Sequence, residues 1–115
     1  MQKLLFTKKV DKSLLKEGLT IPLDCCEAVQ DAVGAHIAKG SFVTVEVVLD
    51  GTAYPAKFTH LNFSVSPRDM YQIRYAPGSD LRKVMNLLFG AGTGVTRVAV
   101  YAGDRRQLFF FAAEE

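Results

Sequence analysis

The spacing of hydrophobic positions changes several times along the chain, and each change predicts an element. "KLLFTKKV" reads as a short first strand, followed by a polar, lysine-rich loop, "DKSLLKEG". "LTIP" predicts a second strand that Pro22 ends. Cys26, Val29, Ala32 and Val33 then recur at helical spacing. Asp24 is the expected N-cap of that acidic helix, with Glu27 three residues later, and Gly34 or Gly40 closes it. In "SFVTVEVVLDGTAYPAKFTHLNFS", Phe42–Leu49 is rich in β-branched residues, Asp50-Gly51 supplies a left-handed turn, and residues 54–61 return. Pro55 implies an irregular or edge-like start to the return strand.

"SVSPRD" reads as a loop and "MYQIRY" as another strand, in which Tyr71, Ile73 and Tyr75 alternate with Gln72 and Arg74. Ser79 is placed to cap a second helix, whose stripe Leu81, Val84, Met85, Leu88 and Phe89 fits packing against a sheet. Gly90 should end it. "VTRVAVYAGDRRQLFFFAA" predicts a closing hairpin with Gly103 and Asp104 in the turn, and its "LFFF" fits a strand buried on both faces. About seven short strands and two helices predict a single domain over residues 1–115, mainly β (α+β). A barrel or sandwich with helices sealing its ends satisfies that pattern.

Composition supports a folded domain: 115 residues, 49% hydrophobic and 23% charged, can bury one core. No apolar run approaches the roughly 18 residues that span a bilayer. The apolar patch in "MQKLLFTKKV" is too short for a signal peptide. A soluble, cytoplasmic protein without a membrane partner is the expectation. Cys25 and Cys26 are adjacent, a spacing that rarely satisfies disulfide geometry. They read as one packed and one surface thiol in a first helical turn. The net charge of +2 identifies no partner, but its distribution is uneven. Residues 1–22 carry +3, residues 23–34 carry −3, and residues 57–83 again carry +3, from Lys57, Arg68, Arg74, Arg82 and Lys83 against Asp69 and Asp80. Two basic segments far apart in sequence could meet on one face.

Signatures of catalysis are few. The glycines of "FGAGTGV" follow a helix and precede a strand, the reverse of a phosphate-cradling loop. His36 and His60 have no His or Cys partner at metal spacing. His36 reads as structural or solvated, while His60, near Asn62, stays open between structural and functional roles. No carboxylate is followed two positions later by Lys, and no Gly-X-Ser-X-Gly elbow occurs. No enzyme, metal or cofactor is expected. Gln72 and Arg74 leave one face of a strand about 7 Å apart. Arg binds guanine, and Gln adenine, through paired hydrogen bonds. The alternative is that both solubilise the sheet or pair with carboxylates.

The order strand, polar arm, "IP", acidic helix, hairpin, "AKFTHLNFS", "QIRYAPGSDL" resembles the N-terminal effector-DNA-binding domain of EcoRII-type restriction endonucleases. That domain is a DNA-binding pseudobarrel related to plant auxin-response-type DNA-binding domains. The likeness covers roughly residues 4–90. It implies a seven-stranded open pseudobarrel with two helices sealing its ends, whose two arms clamp double-stranded DNA in the major groove. The N-terminal arm maps to residues 8–18, with Lys8, Lys9, Lys12, Ser13 and Lys16. The C-terminal arm maps to residues 59–75, with His60, Asn62, Ser64, Arg68, Gln72 and Arg74. The lysines would hold phosphates, which position without specifying sequence. The first arm is short and lacks a Gly/Thr/His-rich stretch, so base readout is not carried over to it. With no nuclease motif, the chain would be the recognition part of a bacterial restriction or defence system, serving a nuclease domain or subunit. A second reading is a protein-interaction module, including a homodimer, supported by an apolar C-terminal hairpin that would expose an edge strand.

Overall fold

The computed structural model describes residues 3–61, 70–76, 79–104 and 106–113. Its centre is the hairpin of β3 (Phe42–Leu49) and β4 (Thr52–Leu61). Asp50 and Gly51 both take positive φ, 50° and 81°, as a two-residue turn matching right-handed strand twist requires. Pro55 lies opposite Glu46, whose N–H turns away from β4 to donate to the Arg106 carbonyl at 2.8 Å. The Pro55 nitrogen therefore also faces away from β3, on the side where the next strand starts only at Lys57. A missing N–H costs nothing there, so the edge-like start inferred from Pro55 is present.

Among the described residues, β3 and β4 belong to one seven-stranded sheet. The others are β1 (Lys3–Lys9), β2 (Gly18–Thr20), β5 (Met70–Arg74), β6 (Arg97–Ala102) and β7 (Gln107–Ala113). The order is β1-β6-β7-β3-β4-β5-β2, antiparallel except where β7 runs parallel to β3. The sheet curls strongly into an open half-barrel, so the mainly β class expected from the pattern and the seven-stranded open barrel implied by the resemblance are observed. Alternation places Val45, Val47, Phe58, Ile73, Val100 and Phe110 inside, each 1% exposed or less.

Three α-helices, not two, accompany the sheet among the described residues: α1 (Lys12–Lys16), α2 (Cys26–Val33) and α3 (Asp80–Phe89). α1 corrects the reading of "DKSLLKEG" as a loop. Asp11 caps it, its carboxylate accepting from the Leu14 N–H at 2.8 Å, and Leu14 is fully buried. α2 also begins differently from the pattern. Pro22 leads into a 3-10 turn at Leu23–Cys25, so Cys25, not Asp24, stands at the cap position and makes no side-chain cap bond. Cys26 is buried and Cys25 half-buried, and the two form no disulfide with each other. Gly34 ends α2 in the left-handed conformation. α3 is capped by Ser79 as expected and buries Leu81, Met85 and Phe89 from one face.

The C-terminal hairpin departs from its prediction. Leu108 and Phe110 enter the core, but Phe109 is half-buried and Phe111 exposed, because only one face of β7 meets the interior. β7 is flanked on both sides at Leu108 and Phe109 and by β6 alone beyond them. The terminal strands in the sheet order are β1 and β2.

Candidate nucleic-acid interface

Strand register determines which polar side chains meet. On the outer face, Thr44 of β3 lies opposite Lys57 of β4, Lys57 opposite Arg74 of β5, and Arg74 opposite Gly18 of β2. Gly18 has no alternative: a Cβ there would run into the Ile73 carbonyl oxygen and the Arg74 Cα. β2 thus approaches closely without placing a side chain beside Arg74. Lys57 and Arg74 are like charges directly across an antiparallel pair, an arrangement that destabilises a sheet unless something offsets it. Among the described residues, neither makes an ion pair; the ion pair found joins His36 to Asp31 at 2.8 Å, on an exposed surface.

Two further cations reach the same place from the helices. Lys16 ends α1, and Arg82 sits in the first turn of α3, its N–H donating to Ser79 Oγ at 3.3 Å. Asn86 links the two helices: its side-chain amide donates to the carbonyls of Leu15 and Arg82, both at 2.8 Å. Lys16, Lys57, Arg74 and Arg82 line one open cleft of about 890 Å³, with Glu17 the single carboxylate among its described lining residues. At its rim Phe42 is 51% exposed, and the Lys57 ammonium sits 4.6 Å from the centre of its ring. Tyr75 also borders the cleft, but its hydroxyl is buried with no hydrogen-bond partner among the described residues. Burial, and secondarily the Asp11 carboxylate, hold that phenol above its usual range and therefore neutral.

The chain matches no known family model and no curated protein.

The expected site residues divide into four groups. Lys16 and Arg74, one from each predicted arm, line the cleft. Lys8, Lys9, Lys12 and Ser13 do not; Lys8 and Lys9 pair with Val98 and Arg97, so they leave β1 on opposite faces. His60 and Gln72 are both buried, which the expectation of exposed arm residues did not include. The alternation Ala56, Phe58, His60 carries His60 to the core face, where its Nδ1 donates to the Ile37 carbonyl at 2.9 Å and its ring stacks on Tyr71. Gln72 shares the outer face with Arg74 but lies between Thr59 and Thr20, 8% exposed, its amide donating to Thr20 Oγ1 at 3.3 Å. Asn62, Ser64 and Arg68 lie outside the described residues. Lys57 and Arg82 were visible in the basic segment 57–83, but not as site residues. Phe42 had no signal beyond its place at the start of a strand. Among the described residues, no three His, Cys, Asp or Glu side chains gather as a metal site, and no helix is long and apolar enough to cross a membrane.

Proposed function

We propose that this protein is a non-catalytic module that binds double-stranded DNA. In this reading it is the recognition part of a bacterial restriction or defence system in the cytoplasm, and a nuclease domain or subunit supplies cleavage. The observation that carries the proposal is the basic cleft. Four cations from two strands and two helices converge there, none in an ion pair among the described residues, against one carboxylate. Polyanion binding offsets repulsion of this kind and gains further from released counterions. The resemblance to EcoRII-type DNA-binding pseudobarrels supports DNA as the polyanion. Its two predicted arms include the segments that contribute Lys16 and Arg74.

A salt titration of duplex affinity tests the reading. Neutralising four phosphates gives a slope of about −3.6 in log affinity against log salt. Absence of duplex binding at low salt would falsify it. A second reading, a protein-association module including a homodimer, is favoured by one observation. Tyr101, Phe109 and Phe111 pack together on the outer face of β6 and β7, with ring centres 5.5 and 6.4 Å apart, and Phe111 is exposed. Concentration-dependent association in sedimentation, without DNA binding, would select that reading.

A further inference from the structure

Phe42 gives nothing to a phosphate, yet it stands at the basic cleft with 51% of its surface open to water. Its neighbours define what the ring can meet. Phe42 opens β3 opposite Thr59, one outward step from the Thr44–Lys57–Arg74 row. The Lys57 ammonium lies 4.6 Å from the ring centre. A flat apolar surface and a positive charge thus stand side by side, and a nucleotide carries a flat base and a phosphate joined by one sugar. In an intact duplex, neighbouring base pairs cover both faces of every base, so an aromatic ring at the groove has nothing to stack on. An unpaired base has free faces, and stacking on an aromatic side chain is a common way to hold one.

We infer that the cleft takes an unpaired nucleotide of DNA, at a strand end or gap, with its base on Phe42 and its phosphate between Lys57 and Arg74. The inference rests on the DNA-binding reading and narrows its substrate. A phosphate between Lys57 and Arg74 offsets the repulsion of two cations held opposite one another by strand register. Lys16 and Arg82, on the same cleft, meet adjoining phosphates. The cleft volume of about 890 Å³ leaves room for a nucleotide.

The test compares two fluorescent DNAs at one salt concentration: a blunt duplex, and the same duplex with a short single-stranded extension. The wild-type protein should prefer the extended form roughly tenfold, within the range that stacking of one base supplies. Phe42→Ala should remove the preference, whereas Phe42→Tyr should keep it. Phe42→Leu, which retains bulk without a flat ring, replaces the alanine variant if that one fails to fold by thermal melting. Equal affinity of the wild-type protein for both DNAs overturns the inference and leaves the duplex reading standing. A preference that survives in a folded Phe42→Ala or Phe42→Leu protein overturns it as well. No binding to either DNA at low salt overturns both readings.

Discussion

Arg74 and Gln72 leave the same face of β5, and the strand beside them gives them different surroundings. Opposite Arg74, β2 places Gly18, so the guanidinium stays open to the cleft; opposite Gln72 it places Thr20, which takes the amide's hydrogen bond. Shared orientation was legible from the alternation of Tyr71, Ile73 and Tyr75 with Gln72 and Arg74, because period two is a local property. Burial was not, because β2 lies some fifty residues earlier in the chain and nothing local says that it covers β5. The two residues should therefore separate stability from binding. Gln72→Ala should cost about 1 kcal/mol in urea unfolding, from one lost hydrogen bond with Thr20 left behind, and leave duplex affinity unchanged. Arg74→Ala should not destabilise the protein and should lower the salt slope of DNA binding by about 1. The reverse pattern would make Gln72 the reader and Arg74 a structural side chain.

α1 is the element whose character the pattern hid. Its five residues supply one buried side chain, Leu14, and the adjacent half-buried Leu15, too few to show a helical period. Its N-cap was present in the sequence as Asp11, but an isolated Asp marks turns as often as caps. The β3–β4 hairpin, by contrast, was legible apart from the start of its return strand, at Thr52 and not Tyr54, because alternation, β-branching and Asp-Gly turn chemistry agree. Helicity in α1 matters to the cleft, since it places Lys16 at the helix end beside α3. Asn86 is the tie, joining Leu15 of α1 to Arg82 of its own helix. Replacing Asn86 by Ala should cost about 1 kcal/mol of stability through the lost bond to the Leu15 carbonyl. It should also weaken DNA binding several-fold without removing any charge, because Lys16 and Arg82 lose their common anchor. Measured at matched salt, an affinity equal to wild type would show that the two helices hold their cations independently.

At the scale of the whole molecule, charge is partitioned rather than merely positive. Four cations and one carboxylate among the described lining residues sum to +3, while the chain as a whole carries +2. The cluster therefore repels itself with Glu17 alone among the described lining residues to offset it, and the Lys57–Arg74 register holds two of its members face to face. The outer face is divided in the same way, basic over β4 and β5 and aromatic over β6 and β7. A cross-strand like-charge pair destabilises by roughly 0.2–1 kcal/mol, and salt at about 0.1 M screens exposed charges beyond roughly 10 Å. Raising sodium chloride from low concentration to about 0.15 M should thus raise the melting temperature by about 1–4 °C, from relief of repulsion alone. Arg74→Gln should raise the melting temperature at low salt and flatten the response, because one of the opposed charges is gone. Duplex DNA should stabilise the wild-type protein more than salt does, in proportion to its excess over the dissociation constant. That gain should shrink in Arg74→Gln. A wild-type melting temperature that falls with salt would mean that attractive pairs dominate the surface and that the cleft is not the strained cluster its register describes.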